Sequence, residues 1–202
     1  MYRRYPYWAA KRCIFVHVPK AAGTSINRAI YGRTLGHFRA RDIQRSFPGL
    51  YERSFVFGVV RNPWARALSA YSFAVQGRTG TMGIRNPEMY RGPEFTSFER
   101  FLKEWLVHQN DLGSLDHVFR LQVDYLTDDE GVLITNYIGK VETIERDILE
   151  VGSKLGMVIE LGRYNRTAST DDYQSAYEND DMINIVRHVY RTDVEKFGYE
   201  FQ

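Results

Sequence analysis

Cysteine is almost absent. Cys13 is the single one, so no intrachain disulfide framework braces this chain. No stretch approaches the roughly 18–20 apolar residues a membrane helix requires. The aromatic and basic opening, Met1 to Arg12, has no apolar core long enough for a signal peptide. Neither sign of charge dominates, and a net +2 is too small to argue for nucleic acid as a partner. There is no internal repeat or low-complexity segment, and no compact His/Cys/carboxylate cluster of the kind that binds a metal. What remains is an ordinary soluble composition in 202 residues, 44% hydrophobic and 26% charged. That predicts one domain over 1–202, large enough for a sheet covered on both faces. Residues 1–12 then form an N-terminal extension. The expected location is cytoplasmic, with an excised luminal domain of a larger protein as the alternative. Cys13 opens an apolar run and reads as a buried structural thiol.

That run, Cys13-Ile14-Phe15-Val16-His17-Val18, passes through Pro19-Lys20-Ala21-Ala22-Gly23 into Thr24 and Ser25. It reads as a buried strand emptying through a sharp turn into a helix N-terminus. Backbone N–H groups of such a turn converge where the helix dipole is positive, which makes an anion site. Lys20 and the two hydroxyls add a charge and further donors. In the common G-x-x-x-x-G-K-[ST] loop the lysine follows the last glycine. Here Lys20 precedes Gly23 by three residues. A lysine at the strand exit is placed to approach the bridge between a 5′-phosphate and a transferred group.

In chain order, Thr24–Tyr31 is expected to be helical. Thr24 and Ser25 are its capping candidates, Ile26, Ala29 and Ile30 face inward, and Gly32 stops it. His37 lies in the following loop, before a short helix from about Ala40. Phe55–Val60 is a second strand, apolar on both faces as central parallel strands are. Asn62 then caps a helix with Pro63 at its first position. Residues 76–94, rich in glycine and arginine, read as a long mobile loop. Thr96 or Ser97 caps a helix to about Val107, with Phe98, Phe101, Leu102 and Trp105 inward. His117–Tyr125 is a short strand or irregular. Asn136–Val141 is a third strand, followed by a helix near Ile144–Leu155, a polar loop from Arg163 to Asp172, and a final helix over Asp180–Glu195. Alternating strands and helices predict α/β architecture, a three-layer α/β/α sandwich with a central parallel sheet.

Arg61, at the second strand's end, and Ser69, about 9 Å along the helix from Pro63 at 1.5 Å per residue, form a second constellation. In open α/β sheets ligands bind at the carboxyl ends of the strands. One ligand with two separated phosphates suits both junctions.

At this point the sequence resembles the PAPS-dependent sulfotransferases, whose donor is 3′-phosphoadenosine 5′-phosphosulfate. Phe15 to Ser25 is similar to that family's 5′-phosphosulfate loop, and Val59 to Tyr71 to its 3′-phosphate motif. Gly36-His37-Phe38 resembles the base-bearing segment of the carbohydrate branch, typified by heparan and chondroitin 2-O-sulfotransferases and their small bacterial relatives. Ile138 to Glu145 and Phe197-Gly198-Tyr199 are also similar. The likeness implies a P-loop-like sulfotransferase fold and sulfuryl transfer to a hydroxyl, on a glycan or glycolipid, without a metal. His37 is then the base, and Lys20 stabilises the leaving group. Lys20, Ala21, Ala22, Gly23, Thr24, Ser25, Arg61 and Ser69 hold the donor. Asn165, Arg166 and Thr167 belong by resemblance to a loop closing over it.

Competing readings stay open. A P-loop kinase needs a magnesium-binding hydroxyl after the lysine and a strand-end aspartate, and neither is evident. A nucleotide-binding module without catalysis would make His37 dispensable. His17, within the strand, reads as structural, as do His108, His117 and His188. Arg33, Arg39, Arg41 and Arg45 suit an acidic-glycan groove or a solvated helix face. Gln122 is an acceptor contact only by analogy.

Overall fold

In a computed structural model of the chain, residues 1–77, 83–162 and 172–202 are described. Helix α1 (Tyr5–Lys11) leads into β1 (Cys13–Val16), α2 (Gly23–Tyr31), α3 (Ala40–Ser46), α4 (Pro48–Glu52) and β2 (Phe55–Val60). Then come α5 (Pro63–Gln76), α6 (Phe98–Arg100), α7 (Val123–Leu126), β3 (Tyr137–Lys140), α8 (Ile144–Leu155), α9 (Asp180–Val189) and α10 (Arg191–Phe197). This is an α/β fold on a parallel sheet of order β1-β2-β3. Phe15 pairs with Phe57, and Gly58 with Ile138.

The chain forms two compact units, each from two segments. The first is Met1–Arg61 with Gln122–Asn165, and the second is Asn62–Leu121 with Arg166–Gln202. The whole sheet lies in the first. All four residues of β1 and the last five of β2 are buried, the signature of strands covered on both faces. Gly58 is required by proximity. A Cβ there would lie 2.4 Å from Leu126 Cδ2, so α7 packs directly on the central strand. The N-terminal residues, expected only as an extension, form α1 with Trp8 buried. The β3–α8 junction is tied by Asp147, whose Oδ2 accepts from the Lys140 N–H and the Thr143 hydroxyl, both at 2.7 Å.

Helix α2 ends at Gly32 as expected, but its start differs. Its N-cap is Ala22, no side chain caps it, and Thr24 and Ser25 lie inside the first turn. Its inner face carries Ile26 and Ile30 with Asn27, which is fully buried, rather than Ala29. Burying each isoleucine stabilises by about 1.5–3 kcal/mol. A buried amide needs partners, and Asn27 has them near the candidate site.

In the second unit, Asn62 Oδ1 accepts the Trp64 N–H at 3.0 Å and Pro63 follows, as local capping chemistry dictates. Ser97 caps α6 by accepting from the Arg100 N–H. The helical path continues through a π-turn at Phe101–Trp105, where Phe101, Trp105 and Phe119 rings meet within 5.0–5.8 Å. Residues 78–82, part of the expected 76–94 loop, lie outside the described residues. Beyond them Ile84 and Tyr90 are buried, and the Tyr90 hydroxyl donates to Asp116 at 2.7 Å. The segment from His117 forms no strand and leads into α7. The expected final helix is two helices, broken at Tyr190. That hydroxyl donates to the Phe119 carbonyl at 3.1 Å, and the ring lies under the buried Arg66 guanidinium. These tertiary ties favour a break that helical periodicity alone does not reveal.

Candidate active site

In the first unit all three strands run parallel, so their carboxyl ends share one edge. β1 exits there through a Val18 N–H to Val16 carbonyl turn into Pro19 and Lys20. Lys20 and Ala22 are both left-handed, at φ 67° and 57°. For side-chain-bearing residues each such conformation costs on the order of 1 kcal/mol or more, and such strain gathers at functional sites. Left-handed residues in such a turn can aim successive N–H groups to one side, as anion-binding nests do. The turn opens directly into α2.

Gly23 must be glycine because of its neighbour. A Cβ there would fall 1.8 Å from His17 Cδ2 and 2.0 Å from its Nε2. The imidazole of His17 therefore lies against the cradle's last turn. It is buried just past β1 and stacks on Phe15 at 5.9 Å. On it lies the half-buried His37 ring, centroids 3.9 Å apart at 41°. His37 Nδ1 is 3.0 Å from the His17 carbonyl oxygen. A carbonyl only accepts, so Nδ1 carries the proton and the neutral ring's lone pair sits on Nε2.

β2 runs out into Arg61, which is buried. Its Nη1 donates to the Lys20 carbonyl at 3.5 Å, joining the two strand exits. Its backbone is held by Gln122, whose Oε1 accepts the Arg61 N–H at 2.9 Å and whose Nε2 donates to the Arg61 carbonyl at 2.8 Å. Gln122 is thus engaged by Arg61's main chain, which corrects its reading as an acceptor contact. Sequence reasoning had no signal for this pairing across 61 positions.

The structure therefore brings together Lys20, Ala21, Ala22, Gly23, Thr24, Ser25, His37 and Arg61 within one unit. Ser69 is buried on the second turn of α5, in the other unit. Asn165, Arg166 and Thr167 lie outside the described residues. Arg41 and Arg45 pair with Asp129, and Arg33 donates to the Tyr7 hydroxyl, so these cations are engaged within the protein. Cys13 is buried, and burial pushes its thiol up to about 12 despite a contact with the Tyr31 hydroxyl. Among the described residues no helix is long and apolar enough to cross a membrane.

The parallel sheet, with a left-handed turn after β1 opening into α2 and a buried arginine just past β2, defines an α/β protein. The model of the sulfotransferase family matches residues 9–200, and the chain belongs to that family. No curated protein matches it.

Proposed function

We propose that this sulfotransferase moves a sulfuryl group from PAPS to a hydroxyl of a carbohydrate acceptor, with His37 as base. The donor set suits such a nucleotide. The nest at Lys20 to Ser25 offers N–H groups and an ammonium for the 5′ end, and Arg61 offers a guanidinium next to it for the 3′-phosphate. Ser69 joins Arg61 in this role by its place in the sequence motif. When bound, PAPS supplies the sulfuryl group, whose bond to the bridging phosphate oxygen breaks as the bond to the acceptor oxygen forms. His37 receives the acceptor proton at Nε2, the ring nitrogen left basic by the Nδ1 contact to His17. Lys20 and the N–H groups of the first turn of α2 stabilise the negative charge left on the phosphate oxygen.

The observation that supports this reading is the hydrogen bond from the Arg61 guanidinium to the Lys20 backbone carbonyl, which links the residues that follow two neighbouring strands. The test is calorimetry with adenosine 3′,5′-bisphosphate, paired with transfer of labelled sulfate from PAPS to chondroitin or desulfated heparan polymers. Micromolar binding of the bisphosphate and labelling of a polymer are expected. A protein that ignores the bisphosphate and takes ATP with magnesium overturns it.

A further inference from the structure

We infer that His17 and Asn27 are positioning residues for His37, setting by hydrogen bonding which ring nitrogen of each histidine carries the proton. The inference rests on His37 being the base. Its starting point is the amide of Asn27, whose orientation two contacts decide. Asn27 Oδ1 accepts from the Leu35 N–H at 3.4 Å, and Asn27 Nδ2 donates to the Gly23 carbonyl at 2.9 Å. The same Nδ2 faces His17 Nδ1 at 3.2 Å. Because that nitrogen is a donor, His17 Nδ1 accepts, and the neutral His17 ring carries its proton on Nε2. Its backbone carbonyl, meanwhile, takes the His37 Nδ1 proton. The two touching, tilted rings therefore hold opposite tautomers, and a proton arriving at His37 does so beside a neutral imidazole.

The ring of His17 is itself clamped. Phe15 lies on it, Asn27 meets its edge, and Gly23 leaves it room that any side chain would take. One buried amide thereby touches the cradle through the Gly23 carbonyl and reaches the base through His17.

The test begins with the unliganded protein. Long-range proton–nitrogen correlation of its histidine rings is expected to show His37 as the Nδ1–H and His17 as the Nε2–H tautomer. A His17 ring protonated on Nδ1 near neutral pH, or a His37 ring protonated on Nε2 alone, overturns the inference without any assay. His17→Ala and Asn27→Leu, checked for folding by circular dichroism, are then compared with His37→Ala in PAPS turnover on chondroitin. For both positioning variants kcat is expected to fall about tenfold or more, with KM for PAPS within about threefold, since misplacing a catalytic group is costly in rate. In Asn27→Leu the His17 ring, without its donor at Nδ1, should report mixed tautomers, while His37 keeps its Nδ1–H on the remaining His17 backbone carbonyl. Wild-type kcat in both variants, or an unchanged His17 tautomer in Asn27→Leu, sinks the inference while leaving the base in place. Full activity of His37→Ala sinks the base reading itself, whatever the tautomers.

Discussion

The side-chain amide of Gln122 closes a two-bond ring on the backbone of Arg61, accepting from its N–H and donating to its carbonyl. Gln122 is fully buried, so neither group of Arg61 has water as an easy substitute. Gln122→Leu leaves both groups short of a partner and is expected to cost roughly 2–4 kcal/mol of stability. It should also weaken adenosine 3′,5′-bisphosphate binding through Arg61. Gln122→Glu puts a buried carboxylate against the Arg61 carbonyl and should cost at least as much at neutral pH. Chemical denaturation and calorimetry on both variants check this ordering.

Gly23→Ala places a methyl where His17 Cδ2 and Nε2 stand. The His17 ring must move, at a cost of about 1–3 kcal/mol for overpacking. Because the cradle and the base share that ring, bisphosphate affinity and turnover should fall together. Unchanged thermal stability and affinity in this variant would show that the ring shifts freely.

Asp147 sets an acid limit. Burial raises its carboxyl, but bonds from the Lys140 N–H, Thr143 and Arg146 outweigh that and hold it below the ordinary 3.8. The unfolded chain therefore takes up this proton first. The stabilisation is complete above about pH 4 and is lost as pH falls through the depressed folded value. Asp147→Asn should lower stability at pH 7 by roughly 2–4 kcal/mol and flatten the acid limb of a stability–pH curve. Urea titrations between pH 3 and pH 7 read this directly.

With its thiol pushed up to about 12 and no exposure, Cys13 should resist thiol reagents in the native state. Labelling by an aromatic disulfide is expected to follow unfolding, at the same denaturant midpoint as the fluorescence change. Rapid labelling of folded protein would contradict this.

Several elements were legible because their causes are local. Asn62-Pro63 announces a helix start through an acceptor side chain and a residue with no N–H to satisfy. Ile144–Leu155 has an amphipathic period and a glycine just beyond it, and its bounds agree with expectation. Phe55–Val60 reads as a doubly covered strand from its unbroken apolar run. The start of α2 is not legible locally, because hydroxyls beside a turn resemble caps while the left-handed Ala22 takes that position. The π-turn at Phe101–Trp105 and the break at Tyr190 follow from ring packing and from a hydroxyl reaching a distant carbonyl.

By itself the chain's order of residues determined the three strands, the glycine-closed turn after the first, and the cations standing at two strand ends. Backbone preference and hydrophobic period act over a few neighbours, so a linear reading captures them. Only the tertiary structure decided that His17 lies on His37, that Asn27 orients the first, and that Gln122 holds Arg61. Those pairings join residues 10 to 61 positions apart. Parallel strands and the helices between them bring such partners together, and burial then makes an unmet hydrogen bond too costly to leave.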